Sequence, residues 1–592
     1  MGVATTKSVP AIKTPRVYCT IGGSSRPVPP VIHEANRPHT MPVSEPLPHF
    51  ADDLLGYLHE THPTQAALDG VHTHDDLLED VSRQGIDHEV RALAGYLRRL
   101  EEIHASGLTE VEALEQRMLV AHLRGRMYEL EEVRTWEKNP QFHADILASS
   151  LAGQALFSHA PAPERARRVL SKLGQTPRLI QAARDNIKDP PGIFVKVGIE
   201  TLRGLLKFID RDLPRAFSEV SDLHLLGDLA DRQVEATEAL GAYIEYLESE
   251  VAPRARASFR LGRERFEQKL RFEEGISLPV DRLLAIAARE LAATQEAFKS
   301  LATRRNGGDP LAAWSKTKAD HPAPGELVGV GRDQVDELRT FLERQAIVTV
   351  PSGEPVTVAA TPEFWRWSFA SMWTPGPFES KPTRAYYYLT DADLSWPAER
   401  QQEYLRDYNY PTLWSISIHE VYPGHFLHSQ HLRRVASKVR KSILFAPASF
   451  VEGWAHYCEQ MMIESGFGRT DQGVQLGQLA ESLIRLVRFI VGIKLHTEDL
   501  SVEQGVRLFR EEAYMEESGA RREAERGTFD PTYLVYSAGK MMLLKLRQDY
   551  KQQQGKAFSL RAFHDTLLGN GSAPFWLHRR LMLGADGGDV LE

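Results

Sequence analysis

Residues 419–425 read His-Glu-Val-Tyr-Pro-Gly-His, and residues 451–457 read Val-Glu-Gly-Trp-Ala-His-Tyr. The two stretches hold two histidines, a carboxylate beside the first of them, and a second carboxylate in the next apolar segment. Catalytic zinc sites use this set of side chains, because the metal takes three protein ligands and leaves one position for water. The stretches therefore predict a metal site and indicate which segments must come together in the fold.

The spacing of the two histidines departs from the usual helical metal motif. In His-Glu-x-x-His the histidines share one face of a helix. Here the second histidine is two residues further along, where a regular helix would turn it about 240° away from the first. Pro423 has no N–H for the carbonyl of His419, and Gly424 permits backbone angles that other residues avoid. We therefore expect the helix to open at this turn and to return His425 to the metal.

A helix and turn with surface histidines is the alternative interpretation. The chain has 22 histidines, and the pair His-Glu also begins at residues 33, 59 and 88. The copy at 419 differs from these because it ends one apolar segment and precedes another that carries its own glutamate. This setting favours the metal site.

The same residues resemble a large bacterial family called "domain of unknown function 885", which is grouped with the gluzincin-like metallopeptidases. Residues 419–425 match its hallmark His-Glu-Ala-Tyr-Pro-Gly-His, with Val421 in place of the alanine. Residues 452–457 match its Glu-Gly-Trp-Ala-x-Tyr motif, and residues 536–540 match Tyr-x-x-Gly-Lys. The resemblance covers residues 50–590, which is nearly the whole chain.

The resemblance implies a mainly α, bilobed metallohydrolase with zinc at the floor of a deep cleft. His419, His425 and Glu452 would be the ligands of one Zn²⁺ per chain. Glu420 would be the general base, which takes a proton from the attacking water and can return it to the leaving amine.

The chain departs from the family's pattern near these ligands. Phe426 stands in place of a second family histidine, which favours His425 as the ligand. His428 and His456 remain the alternatives to His425. Gly492 replaces an acidic residue and so removes one carboxylate that could orient the site.

Further downstream residues are candidates for substrate contacts. Tyr536 is predicted to stabilise the oxyanion of the transition state as a hydrogen-bond donor opposite the metal. Its alternative is a packed aromatic ring. Arg488, Arg526 and Lys540 are predicted to bind a substrate carboxylate. Their alternative is ion pairing with glutamates such as Glu523.

Two histidines are predicted to support the site from behind the ligands. His456 follows Glu452 by one helical turn, so the two side chains share a face. We expect it to hydrogen-bond Glu452 or to line the cleft. His496 matches a histidine in a downstream family motif and is predicted to play a similar supporting part.

Composition narrows the class of protein. The chain of 592 residues has 80 acidic and 71 basic residues and a formal charge of −9, which argues against a nucleic-acid-binding groove. Its two cysteines, Cys19 and Cys458, indicate a reducing compartment and no structural disulfide. We find no apolar stretch long enough to span a bilayer and no apolar signal-peptide core. These features predict a cytoplasmic protein that binds no membrane; they leave its oligomeric state open.

The organisation of the chain follows from its periodicity. Residues 1–45 are rich in Pro, Ser, Thr and Gly and predict a flexible extension. Residues 46–345 predict a helical lobe, and residues 346–592 predict a metal-binding lobe continuous with it. Apolar residues at helical spacing predict helices in four segments: Leu93–Ile103, Val111–Glu137, Leu225–Leu247 and Val280–Leu301.

One region breaks the helical pattern. Residues 346–350 and 355–359 are rich in β-branched residues around a Pro-Ser-Gly turn and predict a hairpin, to which residues 384–389 add a third strand. The edge of such a small sheet could hold an extended peptide. The aromatic residues between the strands are candidates for the cleft wall or for ordinary core packing: Phe364, Trp365, Trp367, Phe369 and Trp373.

Three functions are compatible with these residues. The first is a metallopeptidase that acts on oligopeptides. The second is a zinc amidase for a small acylated amino acid or natural-product intermediate. The third is an inactive binding protein on the same scaffold, against which the intact Glu420 argues.

Overall fold

Helices make up most of the chain. The computed structural model describes residues 45–306, 308–362, 366, 369–380, 384–584 and 591. Within these residues one small sheet accompanies the helices, so the predictions of a mainly α fold and of a small sheet before the metal helix are confirmed. Residues 1–44 of the predicted extension lie outside the described residues, as do Cys19 and the aromatic residues at 364, 365 and 367.

The helices that precede the sheet are α1 (Leu47–Thr61), α2 (Pro63–Asp69), α3 (Arg83–Glu102), α4 (Glu110–Tyr128), α5 (Thr135–Lys138), α6 (Pro140–Leu156), α7 (Ala162–Asn186), α8 (Gly192–Lys207), α9 (Leu213–Ala216), α10 (Leu223–Tyr246), α11 (Arg263–Glu274), α12 (Val280–Asn306), α13 (Pro310–Lys318) and α14 (Leu327–Gln345). The strands are β1 (Val356–Ala360), β2 (Ala370–Trp373) and β3 (Ala385–Leu389). The helices that follow are α15 (Ala398–Arg406), α16 (Tyr410–Glu420), α17 (His425–Leu432), α18 (Lys438–Lys441), α19 (Ala448–Glu464), α20 (Gln472–Thr497), α21 (Val502–Glu512), α22 (Glu517–Phe529), α23 (Val535–Gln554), α24 (Leu560–Gly569) and α25 (Phe575–Leu583).

All four segments with helical periodicity are helical. They fall in α3, in α4 together with α5, in α10 and in α12. The start of α4 shows how its helix is fixed: Thr109 and Glu112 form a capping box that satisfies two N–H groups at the helix start, their own. The end of the second segment differs, because α4 closes with a wider turn at Glu129–Val133 before the short α5 begins.

The sheet has the strand order β1–β3–β2. β1 pairs with β3 in parallel, with Val356 opposite Ala385. β2 pairs with β3 antiparallel, with Trp373 opposite Tyr386. β1 and β3 lie where the sequence predicts strands, whereas β2 was not predicted.

The predicted hairpin over residues 346–359 is wrong in its first half. Ala346 adopts a left-handed conformation (φ 51°) that ends α14, and no strand follows it before β1. Side chains form hydrogen bonds with the backbone groups of Thr349, which in a sheet would pair with a neighbouring strand. Asp565 accepts from the N–H and the hydroxyl of Thr349, and His431 donates to the Thr349 carbonyl. A β-branched run whose backbone is bonded in this way needs no neighbouring strand.

Close helix packing brings the metal motifs together. A Cβ on Gly453 of α19 would lie 2.6 Å from the Cα of Gly539 in α23, so the two backbones touch at this point. On the other side, a Cβ on Gly477 of α20 would meet the carbonyl of Pro411 in α16 at 2.3 Å. The buried Trp454 and Tyr457 anchor α19 in the largest hydrophobic cluster. Small residues at the crossings therefore decide how near the functional side chains lie.

The described residues from Glu45 onward form one compact unit. The predicted boundary between lobes near residue 345 stays a prediction. No helix in the described part of the chain has both the length and the apolar character needed to cross a membrane.

Candidate metal centre

The helical path is interrupted between α16 and α17, at Pro423 and Gly424. α16 ends at Glu420, and α17 begins at His425. The N–H of Gly424 turns back to the carbonyl of Ile418 at 3.0 Å, and a Cβ at Gly424 would lie 1.7 Å from the carbonyl oxygen of His419. Only glycine fits so close to the preceding turn. The sequence predicts an opened helix; the structure has two separate helices joined by a tight turn.

This turn brings both histidines to one place. The ring centroids of His419 and His425 are 4.8 Å apart and nearly perpendicular. Oε2 of Glu452 lies 3.3 Å from Nε2 of His419 and 3.4 Å from Nε2 of His425. The ligand-capable atoms of the three residues all lie within 4.8 Å of one another. The structure thus gathers the three predicted ligands.

The donor set fits a zinc ion. With bonds of about 2.0–2.1 Å, a tetrahedral ion separates neighbouring ligand atoms by about 3.3–3.4 Å. The two distances from Oε2 of Glu452 to the histidine nitrogens match that separation. This oxygen is also buried without a hydrogen-bond partner, which a metal bond would compensate.

The charges of His419 and Glu452 stabilise one another. Burial opposes a charged His419, but its contacts with Glu452 and Glu459 raise the pKa of His419 to about 9. Burial also opposes ionisation of Glu452, yet the neighbouring His425 and His419 hold the pKa of Glu452 well below its ordinary value. The site therefore keeps its carboxylate ionised, which is the form that binds a cation.

A fourth residue, Glu459, orients the first histidine. Nδ1 of His419 donates to Oε1 of Glu459 at 2.8 Å, which leaves Nε2 facing Glu452. The Glu459 side chain is fully buried. It also accepts a hydrogen bond from Ser415 Oγ at 3.0 Å, and it lies 3.1 Å from the Arg485 guanidinium. Carboxylates behind a metal-binding histidine fix its tautomer and ring orientation in this way.

The sequence analysis did not identify Glu459. Its position carried a usable signal, because residues seven apart on a helix share a face and Glu459 is seven residues after Glu452 in α19. Gly492 stands where the family pattern has an acidic residue, and a Cβ there would meet the ring of Tyr533 at 2.7 Å. The carboxylate that orients His419 is instead Glu459 of α19.

Glu420 is available as a base. Its side chain lines the same cavity as the three ligand candidates. Burial raises the pKa of Glu420 above its ordinary value, and the nearby His425 and His419 counteract this effect. Among the described residues none donates a hydrogen bond to it. A half-buried carboxylate beside a candidate metal site can accept a proton from water.

Tyr536 lies beside His419. Its ring centroid is 6.3 Å from that of His419, and its hydroxyl receives a hydrogen bond from Arg526 at 3.0 Å. Burial raises the pKa of Tyr536, with Arg526 opposing the effect, so the phenol keeps its proton at neutral pH. Because Tyr536 also lines the cavity, it can donate this proton in a hydrogen bond to a bound group.

The three predicted carboxylate-binding residues lie in different surroundings. Arg488 makes two hydrogen bonds to Glu523, at 2.6 and 2.7 Å, and Arg526 makes two to Asp530, at 3.0 and 2.8 Å. Both arginines line the cavity. Lys540 does not line it and points to Ser482 Oγ at 3.4 Å. Burial lowers the pKa of Lys540 to about 8.

The remaining histidines lie outside the ligand group. Nδ1 of His456 is 3.2 Å from Glu459 instead of meeting Glu452, and the residue does not line the cavity. His428 turns to Ser572 Oγ at 3.1 Å. His496 donates to the carbonyl of Gly527 at 2.8 Å. Among the described residues, His425 is thus the histidine that meets His419 and Glu452.

The three ligand candidates open onto a cavity of about 780 Å³. Its walls come from distant parts of the chain: α6 and α8 on one side, the edge strand β2, and the helices α16, α20 and α22. A pocket of this volume has room for a small peptide or a drug-sized molecule.

Comparison with known proteins places the chain in a family. A bacterial family described as "protein of unknown function (DUF885)" matches residues 63–582. The chain belongs to this family. The matched range includes residues 419–425 and 451–457, and the family's description assigns no activity.

Two solved structures share the fold. One, described as a "putative lipoprotein of unknown function" from Shewanella oneidensis, is 26% identical and has a TM-score of 0.74, covering 91% of this chain and 100% of its own. The other, described as a "putative lipoprotein" from Colwellia psychrerythraea, is 18% identical with a TM-score of 0.76, covering 91% and 98%. No curated protein matches the chain.

Proposed function

We propose that the chain is a zinc-dependent hydrolase of the gluzincin-like metallopeptidase type, which cleaves amide bonds in oligopeptides. The observation that carries this proposal is the triangle of His419, His425 and Glu452 with the unpaired carboxylate of Glu420 beside it. The cavity onto which they open would be the deep cleft that the family resemblance implies.

Each residue then has a defined part. His419, His425 and Glu452 would hold one Zn²⁺, which polarises a carbonyl and lowers the pKa of water to about 7. Glu420 takes the proton of the attacking water and passes it to the leaving nitrogen. Tyr536 donates a hydrogen bond to the carbonyl oxygen as negative charge develops on it. Arg526, which donates to the Tyr536 hydroxyl, fixes the direction of that phenol.

The cavity wall formed by β2 supports a peptide as the substrate. Among the described residues, β2 pairs with β3 and stands at one end of the strand order. Its residues Ala370, Ser371 and Met372 line the cavity, where they can contact a bound peptide. The hydroxyl of Ser371 is buried there without a hydrogen-bond partner.

The test compares the zinc-loaded wild type with Glu420→Gln on a panel of unrelated peptides and N-acyl amino acids. We expect cleavage of several peptides by the wild type. The variant should keep its zinc and lose activity by about 10²- to 10⁴-fold. Full activity in Glu420→Gln would show that the base is wrongly assigned.

The same panel separates the alternatives. Turnover of one acylated amino acid with inert peptides would favour a dedicated amidase. Stoichiometric zinc with no turnover of any compound would favour a binding protein on the same scaffold.

Cellular location is a separate question. The acidic composition and the two cysteines predict the cytoplasm, whereas the two similar solved proteins are described as putative lipoproteins. Fractionation of cells that express the chain decides between them. Recovery in the cytosol would support the composition, and recovery with membranes would favour a lipid-attached protein.

A further inference from the structure

Arginines dominate the polar wall of the cavity. Among the described residues, seven arginines line it: Arg366, Arg400, Arg485, Arg488, Arg521, Arg522 and Arg526. A cavity with so many guanidinium groups attracts anions only if some of that charge is left uncompensated by protein carboxylates. The partners of each arginine therefore decide which one is available to a ligand.

Four of these arginines are paired with acidic side chains. Their pairs are Arg485 with Glu459 and Glu481, Arg488 with Glu523, Arg521 with Glu503 and Glu517, and Arg526 with Asp530. Of the other three, Arg366 donates to the carbonyl of Asp391, and Arg400 is exposed and lies over the ring of Trp396.

Arg522 differs from all of them. No carboxylate in the described part of the chain lies within ion-pair distance of its guanidinium, and its Nη1 is buried without a hydrogen-bond partner. The guanidinium lies 4.9 Å from the ring centroid of Phe369, which covers one of its faces. A buried N–H of a charged group without a partner costs free energy, so this position favours a ligand that can accept from it.

Among the described residues, neither Tyr404 nor Asp407 forms an ion pair that neutralises the charge of Arg522. Burial raises the pKa of Tyr404, while its hydrogen bond with Tyr408 and its contact with the charged Arg522 counteract this effect; the phenol therefore stays neutral and is the polar neighbour that Arg522 already has. Asp407 also lines the cavity but forms no ion pair with Arg522. Burial raises the pKa of Asp407 to about 7, so this acid is partly neutral at physiological pH.

We propose that Arg522 binds a carboxylate of the substrate, and therefore that the hydrolase acts on substrates that carry one. A carboxylate matches a guanidinium through two parallel hydrogen bonds, and Phe369 holds the planar group in position to make them. This inference rests on the proposed function. It moves the carboxylate-binding role from Arg488 and Arg526, which protein acids already occupy, to an arginine that the sequence analysis did not select.

The carboxylate could be the free C-terminus of a peptide or acyl amino acid, or an acidic side chain. Three forms of each test compound distinguish these sources: the free acid, its C-terminal amide, and an amide that carries a glutamate side chain at the last residue. Dipeptides and N-acetyl amino acids serve as probes.

The protein variants are Arg522→Gln and Arg522→Lys, with Arg521→Gln as the matched control. Arg521 precedes Arg522 in α22 and is also a half-buried cavity arginine, but it is paired with two glutamates. We expect the wild type to prefer the free acid over the amide by about ten- to a hundredfold in kcat/KM. Arg522→Gln should lose this preference without a change on the amide, Arg522→Lys should keep part of it, and Arg521→Gln should keep all of it.

Binding gives a readout that does not depend on turnover. Calorimetric titration of zinc-loaded Glu420→Gln, with and without Arg522→Gln, measures the affinity for each probe. A tenfold or greater preference for acids that disappears with Arg522→Gln supports the carboxylate site even if no compound is cleaved. In that case the hydrolase proposal alone fails.

Other outcomes overturn the inference. If the wild type cleaves acid and amide equally, or if Arg522→Gln lowers kcat/KM for both alike, Arg522 does not select a carboxylate while the hydrolase proposal stands. If the probes are neither bound nor cleaved, both proposals are wrong.

Preference for the glutamate-bearing amide over the free acid would support the carboxylate site and assign it to an acidic side chain of the substrate.

Discussion

Nδ1 of His419 and Oε1 of Glu459 are 2.8 Å apart, and this hydrogen bond faces away from the atoms that gather around Glu452. It leaves only Nε2 of His419 for a metal ion. The metal affinity of the candidate centre therefore depends on a buried carboxylate that is not one of its ligands.

Glu459→Gln should weaken metal binding without removing a ligand. The amide cannot hold the imidazole with the charge of a carboxylate, and loss of such a supporting residue typically lowers metal affinity about 10- to 100-fold. Competition with a zinc chelator measures the affinity. Glu464→Gln, on the same helix but exposed, is the control and should bind zinc like the wild type. Equal affinity in both variants would show that Glu459 has no orienting role.

The contact between α19 and α23 should tolerate no side chain. A Cβ at Gly539 would lie 1.8 Å from the carbonyl oxygen of Ser449, so Gly539→Ala must push the helices apart. Overpacking of this kind costs about 1–3 kcal/mol. Denaturant unfolding should show this decrease in the free energy of unfolding. Hydrolytic activity should fall as well, because Glu452 and Tyr536 lie on the two separated helices.

Gly241→Ala in α10 is the matched control for that variant. Nothing lies within 4 Å of the added Cβ at this position. Alanine is favoured over glycine inside a helix by about 0.5–1 kcal/mol, so this variant should be slightly more stable than the wild type. Equal destabilisation by both substitutions would contradict the packing argument.

A half-buried histidine connects the turn after α2 to the segment after β2. His72 contacts Asp75 through Nδ1 at 2.9 Å and Glu379 through Nε2 at 2.8 Å, while its ring stacks on His159 at 4.0 Å. Arg168 also contacts Asp75, at 2.8 Å. Burial opposes the charged imidazole, but the two carboxylates outweigh it and raise the pKa of His72 from 6.5 to about 9.

The stability that His72 provides should depend on pH. Because its pKa is higher in the folded protein, the contribution is complete below pH 6.5 and is lost as the pH rises through 9. The shift corresponds to no more than about 3 kcal/mol. Urea unfolding of wild type and His72→Gln at several pH values should show a difference that shrinks between pH 6.5 and 9. The exposed His104→Gln should show none, and a constant difference for His72→Gln would refute the assignment.

Some elements of the fold and some residues of the candidate site could be predicted from the sequence, and others could not. The long amphipathic helices were predictable because apolar spacing acts locally, and the convergence of His419 with His425 followed from Pro423 and Gly424. Residues 346–350 were mistaken for a strand because their partners, Asp565 and His431, are distant in sequence. Glu459 and Arg522 were missed for a similar reason: the importance of each depends on what it contacts or fails to contact across helices.

Metal content tests the central claim most directly. Purified wild type, His425→Ala and His428→Ala should be loaded with zinc, dialysed and analysed for zinc per chain. We predict about one zinc in the wild type and in His428→Ala, whose imidazole faces Ser572, and none in His425→Ala. Full zinc in His425→Ala, or none in the wild type, would contradict the metal centre described by His419, His425 and Glu452.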